Sequence, residues 1–266
     1  MFPLAHHFLV KQILKNPRYH LAERLTPLQK NLIRLGAVIP DLVAGMGMDR
    51  NFGHLMGKSL YDYCRENHPA AEPFALGVWL HGADPCGFDY YADEHWQKGN
   101  GWCFQQCTPY IDAVIDACAL PPEWGLWKAH NFVEMAAEMA CFAQDPTLGR
   151  ELLAAGQEAE AVQTVADILV QFGNARTESV IPVLASMDQI FSIHQVTPLD
   201  LAEKYALQLK RRHDIQDADP VKIAAVLTQV KEDLTDEFWR WYPLVETMIL
   251  REIEQYPTCL TTTAPR

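Results

Sequence analysis

Histidine is unevenly placed in this chain. Eight of the ten (His6, His7, His20, His54, His68, His81, His95 and His130) fall within the first 130 residues, several with a carboxylate nearby. The sharpest case is His130-Asn131-Phe132-Val133-Glu134. Residues at i and i+4 lie one above the other on a helix, so an imidazole nitrogen and a carboxylate oxygen there can converge on one cation. Zinc accepts both ligand types. A surface His/Glu pair is the plainer alternative, with Glu138 continuing the same face. The second case is His81-Gly82-Ala83-Asp84, after the apolar run Ala75-Leu76-Gly77-Val78-Trp79-Leu80. Buried together, an imidazole and an aspartate need partners, and a metal supplies one. Asp84 pairing with the ring, or ending the helix before Pro85, is the other reading. Asp41 follows Pro40 after a turn, where an aspartate commonly caps a helix or makes an Asx turn. His54 follows thirteen residues later. Of the adjacent His6 and His7, helical spacing turns one to the core, and His7 is the expected one.

In chain order these pieces are His7, Leu35-Gly36-Ala37-Val38-Ile39-Pro40-Asp41, His54, His81 with Asp84, and His130 with Glu134. This order resembles the zinc-dependent phospholipase C family and the related P1-type nucleases, over about residues 1–145. The resemblance implies an all-helical fold with one to three zinc ions in a cleft. It implies that Asp41, His54, His81 and Asp84 surround a first ion and that His130 and Glu134 hold a second. His7, with Asp84 bridging, would hold a third. The family has a further histidine before the last pair. His95, in Asp93-Glu94-His95-Trp96, is the one available, with Asp89 or Asp93 as substitutes. The family also spaces its central pair as His-x3-Asp, whereas His81 and Asp84 are three apart. In such a site metal ions lower the pKa of a bound water and neutralise phosphoryl oxygens. Asp41 is the residue expected to accept a proton as well as to ligate.

Positioning these residues falls to helices. The apolar spacing is helical over 4–15, 26–35, 54–66, 72–84, 108–118, 123–143, 147–172, 177–192, 198–213, 219–233 and 235–255. Thr26 before Pro27, Thr197 before Pro198 and Asp219 before Pro220 fit helix starts, as does Asp145 before Pro146. Residues 41–52 and 86–103 read as loops, and long ordered loops are often functional. Phe88, Tyr90, Tyr91, Trp96, Trp102 and Phe104 in the second either wall a substrate cleft or serve as core. No stretch alternates with period two. The expectation is an all-α protein: a metal-binding domain over 1–145, a helical extension packed on it over 146–256, and a flexible tail over 257–266.

Composition bounds the function. Of 266 residues 49% are hydrophobic and 21% charged, which is globular rather than disordered. With 22 basic and 34 acidic residues and a net charge of −12, non-specific capture of nucleic acid is not expected. Metal cations would reverse the local sign, so a small phosphoester or a phospholipid remains an admissible substrate. No apolar run reaches the length of a transmembrane helix. Seven scattered cysteines and a start lacking a basic, apolar leader suggest a cytoplasmic protein. Cys103 and Cys107 are read as structural. Arg50 and Lys58, flanking His54, are either phosphate contacts or surface charges. Two other functions compete with a metal-dependent hydrolase. His213-Asp214 is the adjacent pair of an HD-type phosphohydrolase. The unassigned C-terminal half, with Phe238-Trp239-Arg240-Trp241-Tyr242, would suit a non-catalytic scaffold or interaction module.

Overall fold

The computed structural model describes residues 3–84, 86–191, 193–256 and 258. The chain is helical, and no strand forms among the described residues; an isolated bridge joins Trp96 and Gly99. The first half comprises α1 (Pro3–Lys15), α2 (Leu21–Arg24), α3 (Pro27–Gly36), α4 (Ile39–Leu42), α5 (Arg50–Leu55), α6 (Gly57–Asn67), α7 (Glu72–His81), α8 (Trp102–Gln106), α9 (Ile111–Cys118) and α10 (Gly125–Gln144). The second comprises α11 (Leu148–Gln157), α12 (Ala159–Gly173), α13 (Thr177–Ala185), α14 (Met187–Ile190), α15 (Pro198–His213) and α16 (Pro220–Ile253).

Sequence chemistry sets many of these ends. Thr26 accepts from the Gln29 amide while Gln29 reaches back to the Thr26 amide, a capping box that starts α3. Thr197 and Asp200 start α15 the same way, and the Asp219 carboxylate caps α16. Several boundaries differ from the periodicity; the helix read over 177–192, for example, is divided at Ser186, and the one read over 54–66 is divided at Met56. The helix read over 147–172 is broken at Glu158, whose carboxylate caps the Glu160 and Ala161 amides and so opens α12. The two helices read over 219–233 and 235–255 are one, continuous through Pro243. The helix read over 72–84 stops at His81, because Gly82 turns extended. Of the tail read over 257–266, Thr258 alone lies among the described residues, and it is buried.

Two packing features place the site. α3 and α7 cross with backbones almost touching: a Cβ on Gly36 would lie 2.1 Å from the Phe74 carbonyl oxygen, and one on Gly77 would lie 2.2 Å from that of Ile33. Only glycine permits this approach, which sets the Ala37–Asp41 segment beside the C-terminus of α7. α10 forms the opposite wall, between α1, α8, α9 and α16. Buried apolar residues from Leu4 to Ile253 form one continuous cluster, so the helices after residue 146 share their core with those before it. α1 is covered on nearly all sides, with Pro3 to Lys11 buried throughout. No helix among the described residues is long and apolar enough to cross a membrane.

Candidate metal centre

Four carboxylates and four imidazoles form three groups, two of which share His81. In each, one ligand atom per residue lies within 4.8 Å of the others: His6, His81 and Asp89; Asp41, His54 and His81; Asp93, His130 and Glu134. His81, at the end of α7, belongs to two of them. Its Nδ1 lies 2.7 Å from the Ala37 carbonyl oxygen, a gift of the α3–α7 crossing. That bond makes Nδ1 the protonated nitrogen and leaves Nε2 facing Asp89 Oδ2 at 3.1 Å. His54, on α5, repeats the device. Its Nδ1 lies 2.9 Å from the Arg50 carbonyl oxygen, and its Nε2 faces Asp89 Oδ2 at 3.3 Å and Asp41 Oδ1 at 3.6 Å. His6 stacks on His81 with ring centroids 3.6 Å apart and sets Nε2 3.2 Å from Asp89 Oδ1.

Asp89 and Asp93 come from the segment read as a loop. Tyr90–Glu94 forms a π-helical turn, closed by the His95 amide donating to the Tyr90 carbonyl at 2.7 Å. Such turns are rare and recur at functional sites. This one sends Asp89 toward α1, α5 and α7, and Asp93 toward His130 and Glu134 on α10. Behind it, Phe88 packs on His6 and Trp241.

Charge is unbalanced here. Burial and the neighbouring Glu134 and Asp89 carboxylates push Asp93 well above the usual carboxylate range. Burial works in the same direction on Asp89, but His81 and His6 outweigh it and hold that carboxyl low. Burial also opposes ionisation of Asp41, yet nearby positive charge, His54 included, keeps it low. His54 would be lowered by burial, but the bond to Asp41 and the Asp89 charge lift it to about 9. His130, buried against Phe104, is lowered. Asp41 Oδ2 and Asp93 Oδ1 are buried without a hydrogen bond. Buried oxygens of this kind beside imidazoles, those of His54 and His81 fixed by backbone carbonyls, suit a divalent cation.

The groups open on a cleft of about 380 Å³ lined by His54, Asp89, Asp93, Phe104, His130 and Arg50 among others. Trp127 and Leu55, both about half exposed, form its apolar rim. A smaller recess of about 140 Å³ adjoins it, lined by Asp41, Arg50, Trp127, Lys128, His130, Arg212 and His213. Burial and the nearby Arg212 and Arg50 lower Lys128 to about 8.

Five of the expected ligands, Asp41, His54, His81, His130 and Glu134, meet here. Three do not. His7 bonds through Nδ1 to the Leu148 carbonyl oxygen at 3.1 Å and faces Glu151, on the far side of α1 from His81. His6 takes its place; because α1 is enclosed, both histidines are buried, and turning one inward did not decide between them. Asp84 lies beyond the end of α7 and is exposed; Asp89 stands where it was expected. His95 follows the π turn and is exposed, leaving Asp93 to complete the third group. A signal for these carboxylates existed: Asp89 and Asp93 are four apart in an aromatic, apolar segment. Lys58 pairs with Asp62 at 2.5 Å on α6, whereas Arg50 lines the cleft. Cys103 and Cys107 are buried free thiols. His213 is occupied by Lys128, and Asp214 is an exposed helix cap in the left-handed region, so the adjacent pair joins no metal-like group among the described residues. The aromatic run of α16 is largely core: Phe238, Trp241 and Tyr242 are buried, with Trp241 stacked on Trp102 and Tyr242 meeting Phe8 edge to face.

No protein-family model, curated protein or solved structure matches this chain.

Proposed function

We propose that this chain is a metal-dependent phosphoester hydrolase, with a centre whose ligand order (His6, Asp41, His54, His81, Asp89, Asp93, His130, Glu134) is similar to that of the zinc-dependent phospholipase C and P1 nuclease family. One observation carries the reading. His54 and His81 each give Nδ1 to a backbone carbonyl, leaving two Nε2 atoms aimed at the same buried carboxylate, Asp89. Imidazoles held in this way are oriented as metal ligands.

His6, His81 and Asp89 would hold one ion, Asp41 and His54 with His81 another, and Asp93, His130 and Glu134 a third. Ions bound there would activate water and neutralise phosphoryl charge. The chain's own groups supply the rest. Asp41 Oδ2, lacking a hydrogen bond, is placed to take the proton released by the attacking water. Arg50, at the cleft wall, is placed to orient a phosphoryl oxygen through its planar fork of donors. Phe104, stacked on His130 at 4.3 Å, fixes that ring and shields it from water. The substrate is a phosphodiester or phosphomonoester, and the apolar rim of Leu55 and Trp127 favours one carrying a lipid or aromatic part beside the phosphate.

The test is metal content by mass spectrometry for the wild type and for His81→Ala, His130→Ala and His95→Ala, alongside hydrolysis of bis(4-nitrophenyl) phosphate and 4-nitrophenyl phosphate with zinc or manganese. His81→Ala and His130→Ala are expected to lose metal and at least a hundredfold in rate. His95→Ala is expected to retain both. Full metal retention in the first two variants would overturn the proposal.

A further inference from the structure

The recess beside the candidate metal centre gathers three cations, none of them in an ion pair among the described residues. Lys128 is 3% exposed, yet no carboxylate lies within ion-pair distance of it among the described residues. Its Nζ donates instead to His213 Nε2 at 2.9 Å and sits 3.9 Å from the Trp127 ring centroid. Arg50 and Arg212 line the same recess, also without an acidic partner among the described residues. The arrangement is unusual in a chain with 34 acidic and 22 basic residues. The other buried lysine, Lys11, shows the ordinary solution: it is neutralised by Asp145 at 2.8 Å and Glu151 at 2.6 Å. A buried ammonium left to an imidazole and an indole is costly unless an anion completes it.

The recess also has the right address. It shares Arg50, Trp127 and His130 with the metal-lined cleft, and Asp41 faces into it. An extended ligand with one anionic group at the carboxylate–imidazole cluster therefore reaches the recess by passing Arg50. α10 carries both sides of the arrangement, Lys128 toward the recess and His130 toward the cleft.

We propose that Lys128, Arg50 and Arg212 form a subsite for a second phosphate group, so that the substrate carries a terminal phosphate in addition to the ester that is cleaved. This rests on the hydrolase reading for what lies at the metal side, but the subsite itself stands on the unanswered cations. Guanidinium forks and an ammonium together suit the tetrahedral, multiply charged phosphate better than a single carboxylate.

The full-length protein is stripped with a chelator. Binding of inorganic phosphate and of succinate is then measured by calorimetry for the wild type, Lys128→Met and Arg212→Gln. Zinc binding is measured on separate aliquots of the same proteins. Phosphate is expected to bind the wild type and to lose at least tenfold in affinity in each variant, with succinate binding at least tenfold more weakly than phosphate. Arg212 is exposed, so its variant keeps the test valid should Lys128→Met fail to fold. Absence of phosphate binding to the wild type, or equal affinity in Arg212→Gln, overturns the subsite. Succinate binding as tightly as phosphate overturns the assignment to phosphate. Zinc binding separates the two proposals: its loss with phosphate binding intact strikes the metal centre alone, and the reverse strikes the subsite alone.

Discussion

Asp93→Asn should separate a metal centre from a merely structural polar cluster, because the two predict opposite pairs of effects. Ligand oxygens of Asp93 and Glu134 lie within 4.8 Å of one another inside the protein. Two full charges at that distance repel by roughly 3.5 kcal/mol at an effective dielectric of about 20. Burial first, and this repulsion second, push the Asp93 carboxyl above the usual carboxylate range in the metal-free protein. A raised carboxyl contributes stability that is present at low pH and is lost as pH climbs through the folded-state value. Asparagine has the shape of the protonated acid and cannot ionise. The metal-free variant should therefore match the wild type to within about 1 kcal/mol at acidic pH and exceed it at alkaline pH. Metal should act the other way. At a free concentration of 100 Kd a single ion stabilises the wild type by about 2.7 kcal/mol, or roughly 5–10 °C in Tm for a chain of this size. The variant, short of one ligand, should lose most of that shift. The assay is thermal unfolding by circular dichroism from pH 5 to 9, with chelator and with zinc. A metal-free variant destabilised at every pH by more than about 2 kcal/mol, with the zinc shift intact, would refute the reasoning.

Two further perturbations test the scaffold. Gly77→Ala places a Cβ 2.2 Å from the Ile33 carbonyl oxygen and 2.9 Å from the Ala37 amide nitrogen; the crossing must open, at about 1–3 kcal/mol or more by thermal melt. Metal affinity should fall with it, because the Ala37 carbonyl that orients His81 moves away. Glu138 is raised by burial to about 8 from an ordinary value of 4.5, although it accepts from the Leu4 and Ala5 amides at the start of α1. Its stabilising contribution is full below about pH 4.5 and is lost as pH rises toward 8, so Glu138→Gln should flatten the decline of Tm over that window. An unchanged slope would show that Glu138 ionises as freely in the folded chain as in the unfolded one.

Helices were legible where a side chain announces their ends. Thr26, Thr197 and Asp219 carry a capping oxygen before proline, and the structure uses all three. Where the signal is an apolar face alone, it cannot say whether two periodic stretches join. The break at Glu158 follows from one carboxylate capping two amides, whereas nothing at Leu234, between the two stretches read as separate, ends α16. Pattern alone does not give the break at Glu158, since a glutamate is ordinarily a helix former.

The candidate site was legible wherever both ligands of a group are fixed by regular helix, as with His130 and Glu134 on α10. It was displaced wherever a ligand depends on how the chain leaves a helix. Asp84 has a suitable spacing from His81 only if α7 continues, and Gly82 prevents that. The chain instead spends several residues turning and returns Asp89 to His81 at the N-terminal edge of the π turn at Tyr90–Glu94. The same turn, by widening the helical repeat, carries Asp93 to α10 and leaves His95 outside. A single irregular element thus determines two of the eight ligand positions, and it supplies carboxylates where histidine was expected. Carboxylates at those positions add negative charge to a buried site, and that charge is tolerable in a folded protein only if Asp93 stays protonated or a cation arrives. On the proposed reading, metal binding at this site depends on its π turn, and substitutions that straighten the turn should release the metal without touching a ligand.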